Sequence, residues 1–230
     1  MYTHTHYTYT TMRSLEIEPT KENIIKVFEE DNIGRSKDVL RFVELINSLS
    51  SSETIALDAP WGSGKTFFIR QAQFVIEAYN SSECYLNGEE KKRIKDVVGR
   101  FEEQDSRLKV TNREPAISVY FDAWENDNNT DPLLSLVSNI RQAYESEDTF
   151  KNSASRSAIV KETVSAIINR NINLKNLEPE DLLEQVKENA QLKERIAKFF
   201  DELRVERANR LVIFIDELDR CRPDFAVSLL

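Results

Sequence analysis

Residues 59–66 read Ala59-Pro60-Trp61-Gly62-Ser63-Gly64-Lys65-Thr66. Gly62 and Gly64 can let the backbone close around an anion with successive amides turned inward. An apolar helical pattern (Phe67, Phe68, Ile69, Phe74, Val75, Ile76) follows at once, so the free amides of a helix start would face the same anion. Lys65 is then placed to bridge β- and γ-phosphates, and the Thr66 hydroxyl to ligate Mg²⁺. The stretch follows G-x-x-x-x-G-K-[ST] with one departure, Ala59 standing where the motif has glycine. If that position needs a positive φ, alanine is strained there by about 1 kcal/mol. Alone, the stretch is also compatible with a tight turn ending in a solvent lysine.

A second chemical signal lies far along the chain, where Leu211-Val212-Ile213-Phe214-Ile215 runs into Asp216-Glu217-Leu218-Asp219-Arg220. A carboxylate at the tip of a buried strand beside a phosphate loop is where Mg²⁺ belongs, which makes Asp216 the candidate ligand. Glu217 is the candidate base that orients and deprotonates an attacking water. Taken alone, this acidic run reads as a solvent-facing loop. Paired with Lys65 and Thr66, it completes a single two-part site. Asp219 and Arg220 form either a local ion pair that shapes the loop or part of a subunit interface. A third segment, Val119-Tyr120-Phe121-Asp122-Ala123-Trp124, leaves the sheet with an acid and a large aromatic. Trp124 is expected to anchor the following segment against the core, with stacking on a base as the alternative. Asp122 is expected either to support the metal or lysine or to cap its loop.

The elements that must position these groups are legible in the hydrophobic pattern. Residues 20–32 and 36–49 read as amphipathic helices, the second capped by Ser36. Thr54–Leu57, Ala116–Phe121 and Leu211–Ile215 read as short buried strands, and uninterrupted apolar runs suit parallel strands covered on both faces. Helices are expected around Lys91–Phe101, after the Asp131-Pro132 cap, over Ile159–Ile168, and from Pro179 to Leu203. The fold class is therefore α/β, a three-layer core around a mostly parallel sheet with a helical insertion between the lysine-bearing and acidic motifs. Residues 1–19 read as a flexible tail and 20–230 as one partial domain, with polar and helical insertions at about 80–114 and 145–210. The core is expected to be truncated at its C-terminus, because the chain stops inside the helix after its third strand.

The totals narrow the class. A chain of 230 residues can bury one sizeable core. Its net charge of −9 argues against a generally basic nucleic-acid surface, and Lys91-Lys92-Arg93 is the only compact basic run. No direct nucleic-acid site is evident. Cys84 and Cys221 match no metal spacing and are expected as free thiols in a reducing compartment. The N-terminus, with His4 and His6, lacks the basic and apolar regions of a signal peptide. No apolar stretch approaches the roughly 18 residues of a membrane helix.

Three stretches together resemble the KAP family of P-loop NTPases: Trp61–Thr66; Phe121–Trp124 with Pro132-Leu133-Leu134; and Ile215-Asp216-Glu217-Leu218-Asp219-Arg220-Cys221-Arg222-Pro223. The resemblance implies a Walker A motif at Lys65 and Thr66, and a Walker B motif with Asp216 on the metal and Glu217 at the adjacent acidic position. It also implies ATP rather than GTP, with hydrolysis coupled to conformational change or assembly; some members look like bacterial phage-defence components. The alternative is a nucleotide-responsive scaffold with little hydrolysis of its own. The family's pattern usually has glycine at Ala59 and commonly asparagine at Asp122. Many members carry membrane helices between the two motifs, and their absence from Phe67–Arg210 favours a cytoplasmic protein, soluble or peripherally attached through partners. Self-association, in which distant arginines complete such sites in trans, or an effector protein is expected as the partner, through regions partly outside this sequence.

Overall fold

The computed structural model describes residues 17–80, 85–110, 116–128, 132–145 and 210–229. Four helices come first: α1 (Lys21–Glu30), α2 (Ser36–Ser48), α3 (Lys65–Ala78) and α4 (Gly88–Gln104). Strand β1 (Ala116–Asp122), helix α5 (Pro132–Glu145), strand β2 (Arg210–Asp216), a 3₁₀ turn (Leu218–Arg220) and helix α6 (Pro223–Leu229) follow.

Each helix forms where an apolar stripe meets a workable start. The Thr20 side chain accepts from Asn23 N at 3.3 Å and opens α1, which buries Ile24, Ile25 and Phe28. Asn87 and Glu90 make a reciprocal capping box at the start of α4. Ser36 was the expected cap of α2, but Arg35 takes that position and Ser36 is the first helical residue. The reason is Asp31, whose Oδ1 accepts from Ser36 N at 2.8 Å, while Ser36 Oγ donates to Phe28 O at 2.9 Å. The turn between α1 and α2 is thereby locked from both sides.

The strands β1 and β2 pair in parallel, with Ala116 opposite Arg210 and Asp122 opposite Asp216. Alternation then sorts their side chains onto two faces. Ala116 and Phe214 join a cluster with Ile24, Leu40, Val75 and Val98 from α1–α4. Ile117, Val119 and Phe121 join Leu136, Val137 and Ile140 of α5 and Phe225 of α6. Helices thus cover both faces of the strand pair, the α/β layering expected for apolar runs of this kind. Phe74, Phe121 and Ile140 are fully buried, and burial of a side chain of this size stabilises the fold by about 1.5–3 kcal/mol.

The expected first strand is a correction. Thr54–Leu57 forms no ladder among the described residues, and Ile55 and Leu57 remain 41% and 39% exposed. An apolar run becomes a strand only when a neighbour pairs with its backbone, and no described strand lies beside this one. Two strands, not three, form the described sheet. Within residues 80–114, α4 packs on α3 and α1 and supplies Ile94, Val97 and Val98 to the core. The helices expected at 159–168 and 179–203, the Asp131 cap, Cys84 and the histidines of the tail lie outside the described residues. No helix among the described residues is long and apolar enough to cross a membrane.

Candidate functional site

Residues 59–66 form a turn that ends at the first residue of α3. Gly62 (φ 76°) and Gly64 (φ 85°) both adopt left-handed backbone, which glycine enters without steric cost. A Cβ on Gly62 would meet nothing within 4 Å, so conformation, not crowding, requires glycine there. Ser63 N donates to Pro60 O at 3.2 Å, and Phe68 N to Gly64 O at 3.0 Å begins the helix. Gly64 is the N-cap and offers no capping side chain, which leaves the amides of the first turn to other acceptors. Ala59 does not have a positive φ; among the described non-glycine residues only Asp31 and Glu217 do. The feared strain at the departure from the motif is therefore absent.

Lys65 Nζ crosses the turn to donate to Ala59 O at 2.8 Å. Ser63 Oγ is buried with no hydrogen-bond partner among the described residues. From outside the motif, Arg35 Nη1 donates to Ser63 O, so the α1–α2 turn braces the loop. Sequence reading missed Arg35. Its signal was a glycine-arginine pair ahead of a helix, and nothing in that pair tells which loop it will touch.

Asp216 lies at the end of β2 and is 7% exposed. Its Oδ2 accepts from Tyr120 OH and its Oδ1 from Glu217 N, both at 3.0 Å. Burial raises the Tyr120 phenol well above its ordinary range, and the neighbouring Asp216 carboxylate raises it further. Tyr120 is therefore a fixed donor. The Arg70 guanidinium of α3 lies 4.3 Å from the centre of the Tyr120 ring, joining the helix behind the loop to the acidic strand end. A carboxylate has about four lone-pair sites. Two of those on Asp216 are taken, so the group can still serve a hard cation. Magnesium uses one or two carboxylates plus phosphate and water, and this donor set fits that habit. No cluster of three or more His, Cys, Asp or Glu forms a metal cage among the described residues.

Glu217 is a non-glycine residue in left-handed backbone (φ 55°, ψ 26°). Arg220 N donates to its carbonyl at 3.1 Å, closing the 3₁₀ turn. Its carboxylate pairs with Arg220 Nε at 2.6 Å. The ion pair expected between Asp219 and Arg220 is instead Glu217–Arg220, because side chains three apart eclipse on a 3₁₀ turn. Burial raises the Glu217 carboxyl; the Arg220 guanidinium opposes this, and Asp216, Asp219 and Asp122 add to the rise. The Arg220 guanidinium also lies over both tryptophan rings, 5.8 Å from the Trp61 ring centre and 5.3 Å from that of Trp124.

Asp122 Oδ1 accepts from Glu125 N at 3.0 Å, and Asp122 O accepts from Asn126 Nδ2 at 2.8 Å. Of its two expected roles, this geometry is that of a loop cap. Trp124 is 53% exposed and faces Arg220, which is not the geometry of a core anchor. Arg222 ties the same loop to the acidic segment, its N and Nη2 donating to Asp127 Oδ1 and O at 3.1 and 2.6 Å. The fold thus gathers Trp61, Trp124, Glu217 and Arg220, while Lys65 folds onto its own loop.

A family model described as the KAP family P-loop domain matches residues 35–230. The match begins at Arg35 and takes in the glycine turn, both strands and the Arg220 segment. No curated protein and no solved structure gives a significant match.

Proposed function

Since this chain belongs to the KAP family of P-loop NTPases, we propose that residues 60–66 hold the phosphates of ATP with Mg²⁺ and that the same site hydrolyses the γ-phosphate. The observation that carries this reading is the pair of left-handed glycines leading directly into α3, a helix packed on the strand pair whose end bears buried Asp216. Backbone amides and the α3 start supply fixed partial positive charge for the phosphates. Lys65 exchanges Ala59 O for phosphate oxygen, and buried Ser63 Oγ gains a partner on the same event. Thr66 and Asp216 would hold Mg²⁺, which supplies charge neutralisation on the phosphates. Glu217 orients and deprotonates the attacking water. ATP over GTP follows from family likeness, as does coupling to assembly or conformational change in a setting such as phage defence.

Calorimetric titration of ATP and GTP, each with and without Mg²⁺, against wild-type and Lys65→Ala protein tests the binding part. Saturable, Mg²⁺-dependent binding of ATP that Lys65→Ala abolishes is the expected result. Absence of binding to the wild type would sink the reading.

A nucleotide-responsive scaffold is favoured by one specific contact, the 2.6 Å pair that occupies the Glu217 carboxylate. The pair holds one carboxylate oxygen against a cation, which favours the ionised form and makes the group a weaker base while the pair persists. Hydrolysis that Glu217→Gln stops while binding persists supports the enzyme; equal turnover by both proteins removes Glu217 as base.

A further inference from the structure

Arg220 stands at a junction that the hydrolytic roles above leave unexplained. Its guanidinium touches three separate parts of the chain: Trp61 of the glycine turn at 5.8 Å, Trp124 after β1 at 5.3 Å, and Glu217 at 2.6 Å. Both tryptophans stay open to solvent, 80% and 53% exposed. A guanidinium near the face of an exposed indole is attracted by the ring's quadrupole even in water. The planar fork of an arginine can lie on rings and pair with a carboxylate at once. The result is a bridge from the turn that would meet phosphate to the carboxylate that would meet water.

We propose that the Trp61–Arg220–Trp124 clamp is a positioning device that transmits occupancy of the glycine turn to Glu217. The inference rests on nucleotide binding by residues 60–66. When phosphate enters, the backbone around Gly62 and Gly64 adjusts, and Trp61, the immediate neighbour of Gly62, moves with it. Arg220 follows that ring, because a cation–π contact is lost beyond about 6 Å. The movement changes the Glu217 ion pair and shifts Trp124, which sits on a different segment and carries none of the proposed phosphate contacts. Arg220 acts through Glu217 and touches no reacting atom in this scheme.

The chain contains two tryptophans, and both lie in the clamp. Protein labelled with 5-fluorotryptophan therefore gives one fluorine resonance for each ring, assigned with Trp124→Phe. In wild-type protein saturated with MgATP, both resonances shift. In Arg220→Ala at its own saturating MgATP, the Trp61 resonance still shifts and the Trp124 shift is lost. Arg220→Lys, which keeps the cation on a flexible stem, restores part of it and also covers the case in which the alanine variant folds poorly. A Trp124 resonance that ignores MgATP in wild type, or that shifts equally without Arg220, overturns the clamp while leaving nucleotide binding intact. A wild-type protein that binds no MgATP by calorimetry overturns both.

Discussion

Tyr120 OH donates to Asp216 Oδ2 at 3.0 Å, joining the two parallel strands at the end that carries the acidic motif. Asp216 is buried and Tyr120 partly so, and burial raises the phenol, so it donates at neutral pH. Tyr120→Phe removes the donor and keeps the ring under Arg70. The expected cost in stability is about 1–2 kcal/mol, because a buried carboxylate oxygen is left with one partner fewer. Freed Asp216 should also orient less well, so the Mg²⁺ concentration needed for half-maximal ATP binding rises. Urea denaturation and a Mg²⁺ titration at fixed ATP measure the two effects. An unchanged Mg²⁺ requirement separates Asp216 from the metal.

The glycine turn makes opposite predictions for two neighbouring small residues. Gly64 sits at φ 85°, so Gly64→Ala strains the backbone by about 1–2 kcal/mol and misdirects the amides that begin α3. MgATP affinity should fall at least tenfold, a loss of about 1.4 kcal/mol. Ala59 has no such conformation. Ala59→Gly, which restores the general motif, should leave affinity within about twofold and destabilise by roughly 0.5 kcal/mol through added freedom of the unfolded chain. Tighter binding by Ala59→Gly would show that the alanine does restrain the turn.

Asp105 gives the pH dependence a definite sign. The Arg107 side chain first, then Lys37 and the Arg107 backbone, hydrogen-bond its carboxylate and hold it well below the usual range. Lys37 lies on α2 and Asp105 at the end of α4, at 2.8 Å. A depressed folded-state value means that the folded protein binds fewer protons than the unfolded chain near pH 4. The stabilisation is thus full above the ordinary aspartate value and disappears as pH falls towards the folded one. Asp105→Asn should be less stable than wild type at pH 7, and the two stability curves should approach one another between about pH 4 and 2. The gap should also narrow in high salt, because Arg107 is exposed. Parallel curves across that window would remove Asp105 from the acid response.

How much of this was readable beforehand depended on the range of the interaction. The glycine turn, the acidic strand end and the helices α1–α5 were legible, since each is set by residue type and short spacing. Thr54–Leu57 was misread because apolarity marks a segment that can be buried, while a strand needs a partner elsewhere. Tyr120 looked like one more apolar residue in a strand; its contact with Asp216 lies 96 residues away and depends on register. Arg35 and Ser63 are 28 apart and meet only through the α1–α2 turn. Arg220 was recognised as an open choice, and the eclipsed spacing of the 3₁₀ turn decides its partner as Glu217 rather than Asp219. The approach of Arg220 to both tryptophans had no local signature at all.

Arg210, the first residue of β2, supplies the last prediction. Its Nη1 donates to Asn47 O at 2.6 Å and its Nη2 to Ile46 O and Leu49 O at 2.5 and 3.1 Å. These carbonyls end α2, where helices leave acceptors unfilled and carry partial negative charge. One fork-shaped cation thus both caps the helix and pins the start of the strand whose other end is Asp216. Arg210→Ala should cost about 1–3 kcal/mol, and Arg210→Lys should recover only part, since an ammonium cannot span carbonyls as a planar fork does. The midpoint of urea unfolding should move with little change in slope, which marks a stability effect and not a change in the unfolded chain. Asp216 lies about 20 Å further along the strand, and β1 still holds its register. MgATP affinity measured well below the unfolding midpoint should therefore stay within about twofold of wild type. Loss of affinity without loss of stability would mean that the strand slides when its first residue is released.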